Sequence, residues 1–122
     1  MQNYILGRSG ESLAKEYLEN NGFKILAQNF QFYRIGVQGR LAEIDIIALK
    51  DNIIHLCEVK TRSSNKFGSP FEQITKKQVQ NIQHAYYYFI SKNSMYKKCK
   101  AQFNAMAVVG KKVEVIWNAV MF

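Results

Sequence analysis

Hydrophobic positions follow a helical period in two stretches of the chain. Between Ile5 and Asn21 apolar residues recur at spacings of three and four, and the pattern stops at Asn21-Gly22, which is typical of the end of an amphipathic helix. A second stretch ends near Asn93 and has one apolar stripe, formed by Ile74, Val79, Ile82, Tyr86, Phe89 and Ile90. The sequence therefore predicts two helices.

The remaining apolar runs are short and predict five β-strands. The first runs from Phe23 to Phe30, and the next two form a hairpin within residues 43–60. The last two, FNAMAVV and VEVIW, are joined by Gly110-Lys111-Lys112. The order of helix, three strands, helix and two strands predicts an α/β fold in which a mixed sheet is flanked by helices. Because 122 residues make about one domain, we expect a single domain over residues 1–122.

Charged side chains interrupt the apolar hairpin at Glu43, Asp45, Glu58 and Lys60. Asp51-Asn52 is the expected turn, because both residue types tolerate the positive φ of a two-residue loop. This turn pairs Lys50 with Ile53, which places Asp45 opposite Glu58 and Glu43 opposite Lys60. Since opposed residues share a face of the sheet, the four charged side chains are expected to form one cluster.

This cluster has two interpretations. Opposed Cβ atoms lie about 4.5–5.5 Å apart, so Asp45 and Glu58 repel one another unless they share a proton or a cation. In the first interpretation Lys60 neutralises its neighbours in a solvated salt network at a strand end. In the second, the carboxylates hold Mg²⁺ and Lys60 orients a water beside the metal, as in a phosphodiester hydrolase. The hairpin alone leaves both open.

The composition favours a polyanionic partner. Seventeen Lys and Arg against nine Asp and Glu give a formal net charge of +8, which favours nucleic acid through counterion release and an anionic membrane surface less strongly. No apolar segment approaches the roughly 18 residues that cross a bilayer, and the N-terminus lacks the features of a signal peptide, so we expect a soluble, cytoplasmic protein without a membrane anchor.

The cysteines and histidines show no spacing typical of a metal site. Cys57 and Cys99 are separated too widely for a zinc motif, and we expect both to be reduced thiols. His55 and His84 have no partner pattern, and no chemistry is assigned to them. Tyr87 and Tyr88 lie off the apolar stripe of the second helix, where they could stack on unpaired bases or take part in self-association.

The charged hairpin also carries a recognisable motif. Asp45 followed by Glu58-Val59-Lys60 resembles the D…(D/E)xK signature of the restriction-endonuclease-like nuclease superfamily. The predicted order of helix, three strands, helix and strand resembles the core of that superfamily. The motif occurs together with GRSGE at 7–11, GRLAEIDIIA at 39–48, EVKTR at 58–62, FGSP at 67–70 and Lys77-Gln78. This ensemble closely resembles the YraN-type family of uncharacterised bacterial proteins over nearly the whole chain.

Within the superfamily the chain is similar to archaeal Holliday-junction resolvases, whose first helix contributes a catalytic glutamate. Glu11 matches that position, and its alternative is an ordinary first-turn glutamate favoured by the helix dipole. Two positions depart from the family pattern. Ala42 replaces a glycine, and Gln102-Phe103-Asn104 replaces Arg-Phe-Asp, which removes a charge pair expected to brace the site or to touch substrate.

The resemblance implies an endonuclease that depends on Mg²⁺ or Mn²⁺ and acts on DNA, including branched DNA in repair or recombination. Asp45, Glu58 and the carbonyl of Val59 would hold the metal, and Glu11 would add a ligand directly or through water. Lys60 would position the attacking water, and Glu43 would support the metal ligands. Contacts with nucleic acid are expected from Arg8, Arg62, Lys66, Lys77 and Gln78.

The rival from another class is a non-catalytic nucleic-acid-binding or scaffold protein that keeps the fold and is recruited by a repair or recombination machine. Retention of the opposed carboxylates argues against it, because carboxylates repel phosphate. The analogy with resolvases, which cut symmetric junctions as dimers, suggests a homodimer and a repair or recombination protein as partners. The residues themselves leave the oligomer, the partner and the choice between DNA and RNA open.

Overall fold

The computed structural model of the chain describes residues 2–33, 38–39, 42–62 and 75–121, with side chains described within 10–117 of these ranges. Helix α1 spans Gln2–Asn20 and α2 spans Lys76–Lys92. The strands are β1 Lys24–Phe32, β2 Ala42–Lys50, β3 Ile53–Arg62, β4 Lys100–Val109 and β5 Lys112–Met121. A short 3-10 helix, Ser94–Tyr96, precedes β4. The expected element order is confirmed, and the last two strands are longer than the apolar runs that predicted them.

The five strands form one sheet in the order β1-β2-β3-β4-β5. All neighbours are antiparallel except β3 and β4, which are parallel because α2 carries the chain back between them. This is the expected mixed sheet flanked by helices, an arrangement consistent with the restriction-endonuclease-like class. No helix in the described part of the chain is long and apolar enough to cross a membrane.

The turn between β2 and β3 lies where the sequence placed it. Asp51 and Asn52 have positive φ values of 53° and 63°, and Lys50 pairs with Ile53. The ladder of paired residues then runs outward only as far as Ile46 and Cys57. The predicted pairs of Asp45 with Glu58 and of Glu43 with Lys60 are therefore not part of the ladder, and this expectation was wrong in detail. The two strands part at the point where the charged residues begin.

Apolar side chains fill both faces of the sheet. One core lies between the sheet and α2 and contains Ile44, Leu56, Phe103, Ile82 and Phe89 among its buried members. The other lies on the α1 face, where Ala14 and Leu18 of the helix meet Ile46, Cys57 and Met106 of the sheet. The described members of the stripes predicted for both helices thus point into the protein, whereas Ile74 lies outside the described residues. The parted ends of β2 and β3 remain open to solvent beside α2.

Candidate functional site

A cavity of ≈ 700 Å³ lies between the parted ends of β2 and β3 and the first turns of α2. It lies within the size range of ligand sites, about 300–1,000 Å³. The residues that line it are Ala42, Glu43, Asp45, Glu58, Val59, Lys60, Thr75, Lys77, Gln78, Asn81 and Ile82. All four charged residues of the hairpin are in this list, so the expectation that they share one cluster is confirmed even though their pairing is not.

Asp45 is an acid of the cavity whose pKa is clearly shifted. Its Oδ2 accepts a hydrogen bond of 2.8 Å from the backbone N–H of Val59 on the neighbouring strand. Burial raises the pKa of Asp45 to about 6, the Val59 N–H opposes that rise, and the charges of Glu11, Glu58 and Glu43 add to it. The carboxylate therefore lies among like charges, a position that a bound cation would stabilise.

Glu58 is held by two partners on opposite sides. Lys60 Nζ lies 3.2 Å from Glu58 Oε1, and the Nε2 of Gln78 donates hydrogen bonds of 3.0 and 3.1 Å to the two carboxylate oxygens. Gln78 was predicted to contact nucleic acid. In the structure its side chain lines the cavity and also contacts the Glu58 carboxylate. These contacts fix the orientation of Glu58 before any ligand arrives.

Glu11 reaches the site because α1 packs closely on β3. A Cβ added at Gly10 would meet the side chain of Thr61, with Oγ1 nearest and Cβ and Cγ2 at 3.1 Å. Only a glycine permits this approach. The next residue, Glu11, is half-buried and close enough for its charge to raise the pKa of Asp45. The structure thus brings Asp45 and Glu58 together in the cavity and leaves Glu11 near Asp45 without making it part of the cavity wall.

The first turn of α2 contributes residues that the sequence interpretation missed. Thr75 is the N-cap, and its hydroxyl accepts the N–H of Gln78 at 3.1 Å. The pattern Thr75-x-x-Gln78 is a capping-box signal that could have located this helix start. Here the Gln78 side chain contacts Glu58 instead of the cap. Asn81, one turn further, also lines the cavity, and no sequence signal marked it.

The residues that were predicted to contact nucleic acid fall into three groups. Lys77 and Gln78 line the cavity. Arg62 follows Lys60 by two residues in β3 and so lies on the same face of the strand, but it is not part of the cavity wall. Lys66 lies outside the described residues, and Arg8 belongs to α1 with a side chain outside the described part.

The donor set fits a hard divalent cation such as Mg²⁺. Among the described residues no three His, Cys, Asp or Glu side chains are close enough to form a complete metal cage. Mg²⁺ does not require one, because it is usually held by one or two carboxylates together with waters and substrate phosphates. Burial and the neighbouring negative charges both raise the pKa of Asp45, and a bound cation would offset both effects. Asp45, Glu58 and the Val59 carbonyl could hold such an ion, with Glu11 nearby.

Gln102 and Asn104, which differ from the pattern of the resembled family, lie on the α1 face of the sheet. Gln102 Nε2 donates to Asn104 Oδ1 at 2.8 Å, and Asn104 Nδ2 lies 2.9 Å from His55 Nδ1 and 3.7 Å from Cys57 Sγ. Neither Gln102 nor Asn104 lines the cavity with Asp45. A neutral, hydrogen-bonded pair thus stands where the resemblance implied a charge pair. His55, to which the sequence assigned no chemistry, contacts Asn104 in the structure.

Both cysteines are free thiols, as expected. Cys57 is buried, and burial raises the pKa of its thiol to about 12. It is therefore a neutral member of the core and not a nucleophile or a metal ligand.

Comparison with known proteins places the chain among bacterial proteins of similar length. A protein of Thermodesulfovibrio yellowstonii named as a UPF0102 protein is 39% identical over 114 residues, which cover 93% of this chain and 94% of the relative. UPF0102 proteins of Persephonella marina and Christiangramia forsetii are 34% and 32% identical over 119 and 121 residues. These alignments cover 98% and 96% of this chain and 96% and 94% of the relatives.

The relatives and the family profile agree with the expectation of a family of uncharacterised bacterial proteins. Residues 10–108 match the profile described as "Uncharacterised protein family UPF0102". The matched segment includes Glu11, Asp45, Glu58 and Lys60 and ends within β4. The chain belongs to the UPF0102 family.

Proposed function

We propose that the chain is a metal-dependent nuclease that hydrolyses phosphodiester bonds of a nucleic acid, with DNA as the expected substrate. The observation that carries the proposal is Asp45, a mostly buried carboxylate with a pKa raised to about 6 that shares its cavity with Glu58 and Lys60. A protein that only bound phosphate would gain nothing from two carboxylates in the same cavity, since they repel the ligand.

The charge distribution around the cavity supports a phosphate ligand. The first turn of α2 carries Lys76 and Lys77 and no acidic residue, although helix N-termini ordinarily favour acids and disfavour cations. Together with the N-terminal N–H groups of the helix, Lys77 provides a positive wall opposite the acidic one. A cavity with one acidic and one basic wall can take a metal ion and a phosphate side by side.

The roles of the residues follow from their contacts. Asp45, Glu58 and the Val59 carbonyl would hold Mg²⁺ or Mn²⁺, with Glu11 directly or through water, and the bound ion would supply Lewis-acid stabilisation of negative charge. Gln78 orients Glu58 through both carboxylate oxygens. Lys60, already beside Glu58, donates to the attacking water and to the phosphoryl oxygens as charge develops. Lys77 holds a substrate phosphate.

Lys60 gives the sharpest test of this proposal. Its ammonium should act mainly on the transition state, so Lys60→Met, which keeps the apolar stem, should lower the single-turnover cleavage rate by on the order of 100-fold or more. Filter binding of the same DNA should weaken by no more than one lost phosphate contact. The measurement uses linear, flapped and four-way DNAs with Mg²⁺ and Mn²⁺, which also tests for the branched substrates of repair and recombination.

Lys92→Met is the matched control, because Lys92 lies in the last turn of the same helix that lines the cavity. Lys92→Met should cleave at the wild-type rate. Cleavage by Lys60→Met at the wild-type rate, or a loss of cleavage equalled by the loss of binding, would show that Lys60 is not catalytic.

A second candidate, a nucleic-acid-binding protein without turnover, is favoured by one observation. Both oxygens of Glu58 already have protein partners, one in Lys60 and Gln78 and the other in Gln78. The same experiment separates the two, since tight binding by the wild-type protein without cleavage of any DNA in the panel would support the second candidate.

A further inference from the structure

A second cavity lies on the other face of the sheet, at the end of β3 remote from Glu58. It has a volume of ≈ 410 Å³ and is lined by Tyr17, Asn21, Phe23, Lys50, Asp51, Ile53, His55, Gln102 and Trp117. None of these residues lines the cavity with Asp45. The volume lies within the range of small-ligand sites, about 300–1,000 Å³. The residues of this second cavity have no part in the function proposed above.

Two buried polar side chains stand side by side in its wall. His55 and Gln102 are directly paired residues of the parallel strands β3 and β4, so their side chains project together from the same face. They are 7% and 5% exposed, which makes them rare buried polar groups in this sheet. Every buried polar group must be matched by a partner, and these two open onto the cavity.

Asn104 fixes what each of them offers to the cavity. Its Nδ2 donates to His55 Nδ1, so the imidazole proton is on Nε2. Its Oδ1 accepts from Gln102 Nε2, so the amide of Gln102 is oriented by the same side chain. No described residue accepts a hydrogen bond from His55 Nε2 or donates one to Gln102 Oε1, and neither atom is sealed from solvent. The wall therefore presents one donor beside one acceptor.

Aromatic rings complete the cavity. Trp117 is stacked on Phe23 with ring centroids 5.5 Å apart and an interplanar angle of 4°, and it remains 40% exposed. His55 meets both rings edge-on, at 4.8 Å from Phe23 and 5.8 Å from Trp117. These contacts hold the imidazole in place and leave an aromatic surface for a flat ligand.

One lysine lines the cavity, and a second lies nearby on β4. Lys50 Nζ donates to the carbonyl of Asn21 at 2.6 Å and lies 5.0 Å from the centre of the Phe23 ring. Lys100 is exposed, lies two residues before Gln102 on the same face of β4, and is tied to the turn through its N–H to Asn52 at 3.2 Å. Lys100 does not line the cavity, whereas the acidic residue Asp51 does. Lys50 is therefore the lining residue placed to hold a phosphate.

We infer that this second cavity binds the base of a nucleotide, with the base edge on His55 and Gln102, the base plane against the Trp117–Phe23 pair, and the phosphate near Lys50. Nucleobases have flat faces that stack on aromatic side chains and an edge on which an acceptor adjoins a donor. The acceptor on that edge can take the proton donated by His55 Nε2–H, and the donor beside it can donate to Gln102 Oε1. The source of the base is either a free nucleotide or an unpaired residue of a strand.

Trp117 is the only tryptophan in the sequence, so its indole N–H signal in NMR and its fluorescence report on this cavity alone. Titration with uridine 5′-phosphate should shift the indole signal saturably, and uridine should do so more weakly. N3-methyluridine stacks equally well but lacks the edge donor, so it should bind about three- to tenfold more weakly than uridine. A tetrauridylate strand that shifts Trp117 where the free nucleotide does not would assign the base to a strand.

Variants and controls test the individual contacts. His55→Phe keeps an aromatic ring and removes the Nε2–H, so it should abolish the preference for uridine over N3-methyluridine. Lys50→Met should weaken binding of the nucleotide and leave that of the nucleoside unchanged. Circular dichroism and thermal unfolding show whether each variant is folded, and the imidazole ¹⁵N shifts of the wild type should show the Nε2–H tautomer.

Three results would overturn the inference. The first is that Trp117 shows no saturable response to nucleoside, nucleotide or strand. The second is that inorganic phosphate alone gives an equal response. The third is that uridine and N3-methyluridine bind equally well. All of these readouts are independent of cleavage, so the nuclease proposal can fail while this inference stands, and the reverse.

Discussion

At the scale of single residues, Asp45 shows how a cavity changes the chemistry of an ordinary side chain. An isolated aspartate ionises near 3.8, whereas burial raises the pKa of Asp45 to about 6, with Glu11, Glu58 and Glu43 contributing in the same direction. The folded protein therefore binds this proton more tightly than the unfolded chain does. Its stability falls as the pH rises through the window between these two values and stays lower above it.

Asp45→Asn should remove this penalty. Asparagine keeps an oxygen that can accept the Val59 N–H but carries no charge. In the absence of divalent metal, the free energy of unfolding of the variant should match that of the wild type near pH 4 and exceed it above pH 6, by up to about 3 kcal/mol. Urea unfolding at a series of pH values measures the difference.

Asp51→Asn is the matched control, because Asp51 is an exposed carboxylate in a turn whose positive φ asparagine also tolerates. It removes one carboxylate charge from the protein without altering the cavity that contains Asp45. Adding Mn²⁺ should raise the unfolding temperature of the wild type and not of Asp45→Asn. A stability difference for Asp45→Asn that is independent of pH would contradict the assigned pKa.

At the scale of secondary-structure elements, local contacts were predictable and contacts across the sheet were not. The Asp51-Asn52 turn fixes the register of β2 and β3 because it depends on neighbouring residues, and the apolar stripes fix the inward faces of both helices. The contact of Gln78 with Glu58 depends instead on how α2 docks on the sheet. The Asn104 contact with His55 depends on the parallel register of β3 and β4, which joins residues far apart in sequence.

The separation of β2 and β3 at the charged residues could also not be predicted from the sequence. Alternation predicts that Asp45 and Glu58 continue the ladder, and the chemistry of the pair opposes it, since like charges directly opposed destabilise a sheet. In the structure the Asp45 carboxylate takes the Val59 N–H as its partner. A side chain thus replaces a neighbouring strand as the hydrogen-bond acceptor, and the cavity opens at that point.

The packing of α1 on β3 makes a prediction for Gly10. Gly10→Ala increases helix propensity by about 1 kcal/mol, but its Cβ would collide with Thr61, and overpacking costs about 1–3 kcal/mol. We expect net destabilisation and a lower cleavage rate, because Glu11 moves with the helix. Thermal unfolding and the single-turnover assay measure the two effects.

The control for Gly10→Ala is the double variant with Thr61→Ala, which removes the hydroxyl and methyl groups from the contact. The double variant should recover stability relative to Gly10→Ala, with a coupling of about 1 kcal/mol or more in a double-mutant cycle. Additive effects of the two substitutions would show that α1 does not approach β3 as closely as Gly10 and Thr61 indicate.

At the scale of the whole molecule, the formal net charge of +8 gives long-range attraction to a polyanion, but it does not say which surface the polyanion occupies. The structure offers basic residues at two separate places. Lys77 lies at the N-terminus of α2 beside the carboxylates, and Lys50 lies at the rim of the second cavity on the opposite face. Charge alone therefore cannot identify the binding surface, and the salt dependence of single-lysine variants can.

Lys77→Met and Lys92→Met change the net charge equally and lie in the same helix, about 22 Å apart at 1.5 Å per residue. If nucleic acid lies across the cavity with Asp45, Lys77 neutralises a phosphate and releases its counterion on binding, whereas Lys92 is too far along the helix to contact the same phosphate. The slope of log K against log salt concentration should then decrease in magnitude by about one unit in Lys77→Met and remain that of the wild type in Lys92→Met. Filter binding or fluorescence anisotropy with a short duplex at four salt concentrations measures both slopes. Equal slopes in the two variants would mean that only the net charge matters and that α2 does not bring the phosphate to the carboxylates, which would remove the positive wall from the proposed site.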